Sequence, residues 1–174
     1  CGLMGSGIAE IAAKAGFDTV VREVSDGLLE KGMGRIRGSL ARAVEKGKMT
    51  ADERDVVLGR IQGTTGFEAM ADCDLVVEAI VENLDEKKST YAALDKVVQP
   101  AAIFASNTSS LTVTQLAMAT SRPSRFVGLH FFNPVPVMKL VEVVRTLLTD
   151  DAVLAEVDVF CRALGKTPVA CRDN

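Results

Sequence analysis

The sequence has no apolar run of 18 residues and no signal-peptide pattern, which argues against a membrane span and against secretion. No CxxC spacing occurs either, so neither a metal site nor a disulfide framework is indicated. The cysteines lie in or beside apolar runs, where a reduced thiol packs as a small hydrophobic group; they are Cys1, Cys73, Cys161 and Cys171. We therefore expect a cytoplasmic protein that binds no metal.

The sequence also lacks a strong excess of either positive or negative charge. Lys and Arg number 20 and Asp and Glu 23, which gives a formal net charge of −3, and the two signs are interspersed. Because no basic stripe is present, the sequence does not favour binding to a nucleic acid or a membrane surface. We expect a small, soluble partner instead.

Repeats, low-complexity tracts and linkers rich in Pro or Gly are absent. The 174 residues are 48% apolar and 25% charged, which excludes disordered and collagen-like classes and fits one globular domain. The chain starts at Cys1 on a glycine-rich stretch that normally follows a strand, and it stops just after another apparent strand. We therefore expect one domain over residues 1–174, cut at both ends.

Short apolar runs alternate with helical patterns along the chain. The runs are continuous and rich in branched apolar side chains, as is typical of strands buried on both faces of a sheet. They lie at residues 19–21, 75–80, 103–105, 126–129, 140–144 and 168–170. The helical patterns lie at residues 8–15, 28–44, 50–61, 85–98 and 150–164. This alternation predicts an α/β fold with a mostly parallel sheet and right-handed crossovers.

Gly2 and Gly5 are spaced as the last part of a G-x-G-x-x-G fingerprint. A glycine cluster alone is weak, but a helical pattern follows at once, and then a strand ending at Glu23, about 20 residues on, where an acid meets the ribose of a dinucleotide. Glu23 favours NAD over NADP because a carboxylate repels a 2′-phosphate, whereas Arg22 beside it could accommodate that phosphate. The alternative is a glycine-rich turn before an ordinary helix.

The single histidine, His130, ends a predicted strand and precedes a segment that contains two prolines. If that segment reverses the chain about Pro136, antiparallel pairing sets His130 opposite Glu142 on the next strand. Glu142 interrupts an apolar strand, where a buried carboxylate needs a partner. A carboxylate that orients an imidazole makes an acid/base pair. The alternative is that Glu142 points to solvent and His130 merely packs.

A polar run, residues 106–110 (Ser-Asn-Thr-Ser-Ser), follows the buried strand at 103–105. Ligands bind at the carboxyl ends of such strands, and hydroxyl and amide groups suit a substrate oxygen. The run could equally cap a helix that begins near Leu111. Chemistry alone does not rank the four hydroxyls, which belong to Ser106, Thr108, Ser109 and Ser110.

Four runs together resemble the signature runs of the 3-hydroxyacyl-CoA dehydrogenases, including the 3-hydroxybutyryl-CoA group. They are residues 2–9 (GLMGSGIA), 74–84 (DLVVEAIVENL), 104–111 (FASNTSSL) and 130–142 (HFFNPVPVMKLVE). The resemblance implies a doubly wound Rossmann-type fold with a long helical excursion after the second strand. It also implies NAD-dependent, reversible oxidation of the C3 hydroxyl of a short-chain 3-hydroxyacyl-CoA to the 3-oxoacyl-CoA, as in β-oxidation and butanoate metabolism.

The resemblance further implies individual roles. His130 is implied as the general base and Glu142 as its orienting carboxylate, with Ser109 and Asn133 as hydrogen-bond partners of substrate and histidine. The residues implied to lie near the cofactor are Gly2, Leu3, Met4, Gly5, Glu23, Glu82, Lys87 and Asn107. Those implied to lie near coenzyme A are Ser39 and Lys46, although Lys46 could be an ordinary exposed lysine.

The sequence also departs from the family pattern. Family members begin with a strand before the first glycine and continue into a C-terminal helical domain that supplies the dimer interface, and we expect neither segment in this chain. Because the C-terminal domain of the family supplies a dimer interface, the resemblance implies a homodimer for the full-length protein. A further departure is that Glu23 stands where the family usually has Asp. Two rivals stay open, namely another Rossmann hydroxy-acid dehydrogenase and a noncatalytic nucleotide-binding protein, which needs no contact between His130 and Glu142.

Overall fold

The computed structural model describes residues 1–173, which form two compact units. The first unit comprises Cys1–Gly66 with Asn133–Val137, and the second comprises Phe67–Phe132 with the chain from Met138 onward. The chain thus leaves the first unit and later returns to it, which agrees with the absence of a linker in the sequence. No helix in the described part of the chain is long and apolar enough to cross a bilayer.

The first unit is built from three helices and a two-stranded parallel sheet. Its elements are α1 (Leu3–Lys14), β1 (Thr19–Arg22), α2 (Asp26–Glu45), α3 (Ala51–Gly59) and β2 (Ile61–Thr64). β1 pairs with β2 in parallel, with Thr19 opposite Ile61. The core of the unit is a cluster of buried side chains from both kinds of element, comprising Ala9, Ala13, Val21, Ile36, Leu40 and Val57.

The three helices predicted for the first unit are present, but α1 begins five residues earlier than predicted, at Leu3, and α2 begins two residues earlier, at Asp26. The predicted capping box before α3 is confirmed, because Glu53 N donates to Thr50 Oγ1 at 3.1 Å and Thr50 N donates to Glu53 Oε2 at 2.7 Å. The end of α3 was predicted at about Ile61, but the helix stops at Gly59. The chain turns there because Ile61 pairs with Thr19 and begins β2, a strand that the sequence did not predict.

The second unit is a five-stranded sheet with three helices. Its elements are β3 (Leu75–Glu78), α4 (Leu84–Asp95), β4 (Ile103–Ser106), α5 (Val113–Ala117), β5 (Phe126–Phe131), β6 (Leu140–Arg145), α6 (Asp151–Ala163) and β7 (Thr167–Arg172). The strand order is β3-β4-β5-β6-β7, and the neighbours pair in parallel apart from antiparallel β5 and β6. The predicted α/β architecture with mostly parallel strands is confirmed, with the strands divided between two sheets.

Close packing brings β6 and α5 against the middle of β5, two residues before His130. A Cβ added to Gly128 would lie 2.7 Å from Val144 Cβ and 2.9 Å from Val113 Cγ2. Any side chain at this position would push the neighbouring strand and helix away. Gly128 therefore helps to set the spacing between the two strands that carry His130 and Glu142.

Arg122 determines where α4 ends. The helix was predicted to reach Val98 but stops at Asp95. Arg122 donates to the carbonyl oxygens of Val98 at 3.0 Å and Gln99 at 2.6 Å, and its Nε lies 2.8 Å from Asp95 Oδ1. These contacts satisfy the carbonyl groups at the helix end, so the chain can turn before Pro100.

Candidate active site

His130 and Glu142 lie directly opposite each other on the antiparallel pair β5 and β6. Nδ1 of His130 is 2.9 Å from Oε2 of Glu142. The register and the contact predicted from the sequence are both confirmed, so His130 does not merely pack, although the Glu142 side chain is 38% exposed to solvent. The noncatalytic rival predicted no such contact.

The contact determines which ring nitrogen of His130 can react. A carboxylate only accepts hydrogen bonds, so Nδ1 of the ring is the donor in this contact, and Nε2 is the ring nitrogen left outside it. The His130 side chain is 19% exposed, which leaves the ring accessible from one side. The ring also packs on Phe132, with 4.6 Å between the centroids. The imidazole is therefore held from two directions while one nitrogen stays free to accept a proton.

The hydroxyl groups after β4 have separate roles. Ser106 Oγ donates to Glu78 Oε2 at 2.7 Å, and Glu82 Oε1 accepts hydrogen bonds from the hydroxyls of Thr108 and Ser110. Ser109 is exposed, and its hydroxyl has no hydrogen-bond partner among residues 1–173. Ser109 is thus the hydroxyl of this run that is available to a ligand, which chemistry alone did not distinguish.

The run does not cap a helix, which was the alternative interpretation. A helix does begin nearby, at Val113, but its first backbone N–H groups are capped by the carboxylate of Asp173. Val113 N and Thr114 N donate to Asp173 at 3.0 Å and 2.7 Å. Thr108 Oγ1 instead closes a tight turn by accepting a hydrogen bond from Leu111 N at 3.0 Å.

Asn107 connects this loop to the strand that carries His130. Its side-chain Oδ1 accepts a hydrogen bond from Phe131 N at 2.8 Å, and its backbone N donates a hydrogen bond to the backbone oxygen of Glu78 at 2.8 Å. Phe131 directly follows His130. The loop after β4 is therefore joined to β5 next to His130.

Glu82 and Lys87, which the resemblance places near the cofactor, belong to a charged network at the same sheet edge. Lys87 is 1% exposed, and its Nζ lies 2.6 Å from Glu78 Oε1 and 3.3 Å from Glu82 Oε2. Glu78 was missed in the sequence. The signal was present, because a carboxylate inside a buried strand is the same feature that singled out Glu142.

The glycine turn fits the pyrophosphate of a dinucleotide. Gly2 is the N-cap of α1, no side chain caps the helix, and its first turn holds no acidic residue. A Cβ added to Gly2 would meet nothing within 4 Å, so the backbone is open to an approaching group. An anion suits free amides at a helix N-terminus. Gly5 and Met4 lie in the first turn of α1, and Leu3 is 60% exposed.

Glu23 lies beside this turn. Its carboxylate lies next to the backbone nitrogen of Cys1, the residue before Gly2, and accepts a hydrogen bond from Val24 N at 3.2 Å. Arg22 Nε donates to the carbonyl oxygen of Thr65 at 3.2 Å. The acid and the glycine turn therefore adjoin, which is the arrangement that binding of a ribose and a pyrophosphate requires.

A cleft of about 350 Å³ in the first unit brings together the predicted Ser39 and Asn133. Arg35 and Arg42 of α2 also line it. Neither was predicted from the sequence, although both are spaced from Ser39 as neighbours on one helix face. Lys46 is the exposed C-cap residue of α2 and does not line the cleft.

The cysteines are free thiols. Burial, together with the nearby Asp158 carboxylate, raises the pKa of Cys161 to about 12. Burial and then Asp74 raise the pKa of Cys73. Thiols held protonated in this way are poor nucleophiles and poor metal ligands. Within residues 1–173, no group of three or more His, Cys, Asp or Glu side chains could hold a metal ion.

An α/β fold with mostly parallel strands, an open glycine turn beside an acid, and a His–Glu pair at a strand end are together typical of dinucleotide-dependent oxidoreductases. Over residues 1–174 the chain matches the family model described as 3-hydroxyacyl-CoA dehydrogenase, NAD binding domain. The chain belongs to this family.

Relatives of known name agree with this assignment. The chain is 50% identical over 172 residues to the probable 3-hydroxybutyryl-CoA dehydrogenase of Deinococcus radiodurans, covering 99% of this chain and 62% of that protein. It is 45% identical over 180 residues to the mitochondrial hydroxyacyl-coenzyme A dehydrogenase of Rattus norvegicus, covering 99% of this chain and 57% of that protein. The chain thus spans about three fifths of the length of these relatives.

The fold agrees with solved structures as well. The crystal structure of the (S)-3-hydroxybutyryl-CoA dehydrogenase from Ralstonia eutropha matches with a TM-score of 0.97 at 42% identity, covering 99% of this chain and 61% of that one. Prephenate dehydrogenase from A. aeolicus matches with a TM-score of 0.65 at 18% identity, covering 98% of this chain and 57% of that one, which is a likeness of fold alone.

Proposed function

We propose that the full-length protein is an NAD-dependent 3-hydroxyacyl-CoA dehydrogenase, which reversibly oxidises the C3 hydroxyl of a short-chain 3-hydroxyacyl-CoA to the 3-oxoacyl-CoA. The observation that carries the proposal is the 2.9 Å contact between His130 Nδ1 and Glu142 Oε2. The family of the chain and the names of its relatives support the choice of substrate class.

His130 is the general base of this proposal. Because Glu142 holds the Nδ1 proton, Nε2 accepts the proton of the C3 hydroxyl, and the ring becomes an imidazolium. Glu142 offsets this new positive charge through the same contact. Bound NAD supplies the acceptor for the hydride that leaves C3. In the reverse direction His130 returns its proton to the oxygen of the 3-oxo group.

Ser109 and Asn133 position the substrate. The Ser109 hydroxyl is exposed and has no partner in the described chain, so it is available to donate a hydrogen bond to the substrate oxygen. The Asn133 amide offers a second polar group for the substrate or the histidine. Holding the oxygen in this way aligns it with the base and raises the rate through orientation.

The cofactor is assigned to the glycine turn. The backbone of Gly2, Leu3, Met4 and Gly5 is proposed to bind the pyrophosphate and Glu23 the ribose, with NAD preferred over NADP because the carboxylate repels a 2′-phosphate. The other residues assigned near the cofactor are Glu82, Lys87 and Asn107. Since Lys87 is 1% exposed, it acts on the cofactor region through Glu82.

Coenzyme A is assigned to α2, with Ser39 and Lys46 as its contacts. Arg35 and Arg42 place two cations in the cleft beside Ser39, although Lys46 does not line it, and these two cations support the binding of a phosphorylated ligand. We also propose that the full-length protein is a homodimer and cytoplasmic. A monomer in light scattering, or recovery of the protein in another cell fraction, would overturn those two assignments.

The full-length protein tests the proposal directly. With NAD, we expect oxidation of 3-hydroxybutyryl-CoA and no comparable turnover of free 3-hydroxybutyrate, because the free acid lacks the coenzyme A group. Efficient use of the free acid would favour the rival hydroxy-acid dehydrogenase. A protein that binds NAD but turns over neither compound would favour the noncatalytic rival. Replacing NAD by NADP in the same assay tests the cofactor preference.

A further inference from the structure

Glu78, at the end of β3, has a fully buried and fully paired carboxylate. Its Oε1 accepts hydrogen bonds from Lys87 Nζ at 2.6 Å and Ile80 N at 2.7 Å, and its Oε2 accepts from Ser106 Oγ at 2.7 Å. The side chains of Glu78 and Lys87 are each 1% exposed. A charged pair has thus been removed from water next to the proposed site.

Stability does not explain this pair. Desolvation of two charges costs several kcal/mol, and apolar residues of similar volume are often as stable as a buried ion pair or more so. The neighbours of the pair offer a better explanation, because both of its members reach the loop that carries Ser109.

The first route to the loop runs through Lys87. Its Nζ lies 3.3 Å from Glu82 Oε2, while Glu82 Oε1 accepts hydrogen bonds from the hydroxyls of Thr108 and Ser110 and from Ser109 N at 3.3 Å. Partial burial opposes the charged form of Glu82, but the Thr108 hydrogen bond and the Lys87 ammonium outweigh it and lower its pKa. Glu82 is therefore held as a carboxylate, and its hydrogen bonds hold Thr108, Ser109 and Ser110 of the loop together.

The second route runs through Ser106. Its hydroxyl donates to Glu78 and accepts a hydrogen bond from Thr108 N at 3.3 Å. Glu78 therefore holds the start of the loop through Ser106 and its later residues through Lys87 and Glu82.

We propose that Glu78 and Lys87 are positioning residues of the dehydrogenase, which fix the Glu82 carboxylate and the loop of Thr108 to Ser110 so that the Ser109 hydroxyl faces the substrate. Neither residue touches the substrate. The inference rests on the proposed function, since it assigns a role to Ser109 in that reaction.

The test is a neutral replacement of the pair in the full-length enzyme, Glu78→Gln with Lys87→Met. Because both charges are removed together, the unfolding temperature should stay within a few degrees of wild type. We expect kcat to fall about tenfold or more, since small misplacement of a site can cost up to about a hundredfold. The amides of Ser109 and Ser110 should also exchange faster with solvent. Wild-type kcat with unchanged exchange would overturn the proposal.

A matched control variant and a double-mutant cycle with Glu82→Gln separate a positioning role from a general disturbance of the structure. Glu86→Gln with Lys88→Met makes the same substitutions outside the network and should leave kcat unchanged. Because the pair acts through both Glu82 and Ser106, adding its replacement to Glu82→Gln should lower kcat only about threefold further, through the Ser106 route that remains. A further drop as large as in the wild-type background would contradict the route through Glu82.

Two outcomes need separate treatment. If the double variant does not fold, Ser106→Ala removes the second route alone and should lower kcat about threefold with the fold retained; unchanged kcat and exchange would then overturn the proposal. If wild type itself does not oxidise 3-hydroxybutyryl-CoA, the proposed function fails. An active wild type with an equally active double variant overturns only the positioning role.

Discussion

His130 and Glu142 face each other across the antiparallel pair β5 and β6, with 2.9 Å between Nδ1 and Oε2. Because directly opposite residues of a sheet are set by the backbone register, the contact does not depend on a flexible loop. Gly128, two residues before the histidine, allows the neighbouring β6 to approach closely. The contact between His130 and Glu142 is therefore built into the sheet itself.

Loss of the orienting carboxylate should affect turnover more than binding. We expect Glu142→Gln to lower kcat about a hundredfold with little change in KM, because a neutral amide cannot offset the imidazolium. Steady-state kinetics on 3-hydroxybutyryl-CoA measure both constants. Glu68→Gln, an exposed glutamate of the same unit, is the control. A Glu142→Gln enzyme with wild-type kcat would remove Glu142 from the mechanism.

The cofactor assignment depends on Glu23. We expect Glu23→Gln to raise KM for NAD about tenfold, because hydrogen bonds of ribose hydroxyls to a charged group are lost, and to weaken discrimination against NADP. Titration with each cofactor measures both effects. Glu45→Gln, an exposed glutamate at the end of α2, should leave them unchanged. Equal affinity for NAD in Glu23→Gln and wild type would refute the ribose contact.

Gly7 has a packing role that can be separated from cofactor binding. An added Cβ would lie 2.7 Å from Val135 Cβ, so Gly7→Ala should destabilise the protein by about 1–3 kcal/mol. At Gly59 an added Cβ meets nothing within 4 Å, and Gly59→Ala should be neutral or stabilise by up to about 1 kcal/mol. The free energies of unfolding of Gly7→Ala, Gly59→Ala and wild type, measured by denaturant titration, test both predictions. In a Val135→Gly background, which lacks the contacting Cβ, the cost of Gly7→Ala should shrink, and an unchanged cost would argue against the clash.

Asp95 should make stability depend on acid pH. Partial burial opposes its charge, but hydrogen bonds from Ser121 and Arg122 outweigh this and lower its pKa below the usual 3.8. A lowered folded-state pKa stabilises the protein above the unfolded value, and this contribution is lost as pH falls through the folded value. At pH 7, Asp95→Asn should cost about 2 kcal/mol, since hydrogen bonds to charged groups contribute about 1.5–3 kcal/mol.

The sign of this effect is tested by unfolding at two pH values. The stability gap between wild type and Asp95→Asn should be full at about pH 7 and should narrow below about pH 4, where Asp95 begins to protonate in the unfolded chain while the folded protein still holds it as a carboxylate. Asp18→Asn, at an exposed position, should show almost no gap at either pH. A gap for Asp95→Asn that does not change with pH would mean that its charge contributes nothing.

Much of the fold was predictable because the strands carry strong local signals. Each of the six predicted apolar runs lies within or overlaps an observed strand. β2 was missed because residues 61–64 (Ile-Gln-Gly-Thr) contain a polar residue and a glycine and have no strand pattern of their own. This strand exists because it pairs with β1, a contact that no local pattern encodes.

The site was predictable where pairing is local in the sheet and less so where it depends on three elements. The contact of His130 with Glu142 follows from a short reversal and a register. The burial of Lys87 could not be derived from the charged pattern of its helix, because its partner Glu78 belongs to a strand and the two meet only once α4 packs. The same packing distinguishes Ser109 from the other hydroxyls of its loop.

The most direct test of the account is the turnover of His130→Gln in the full-length protein, followed by NADH formation from 3-hydroxybutyryl-CoA. If Nε2 of His130 removes the hydroxyl proton, kcat should fall about a hundredfold to ten-thousandfold while affinity for NAD stays at the wild-type value. A His130→Gln enzyme that keeps most of its turnover would contradict the account.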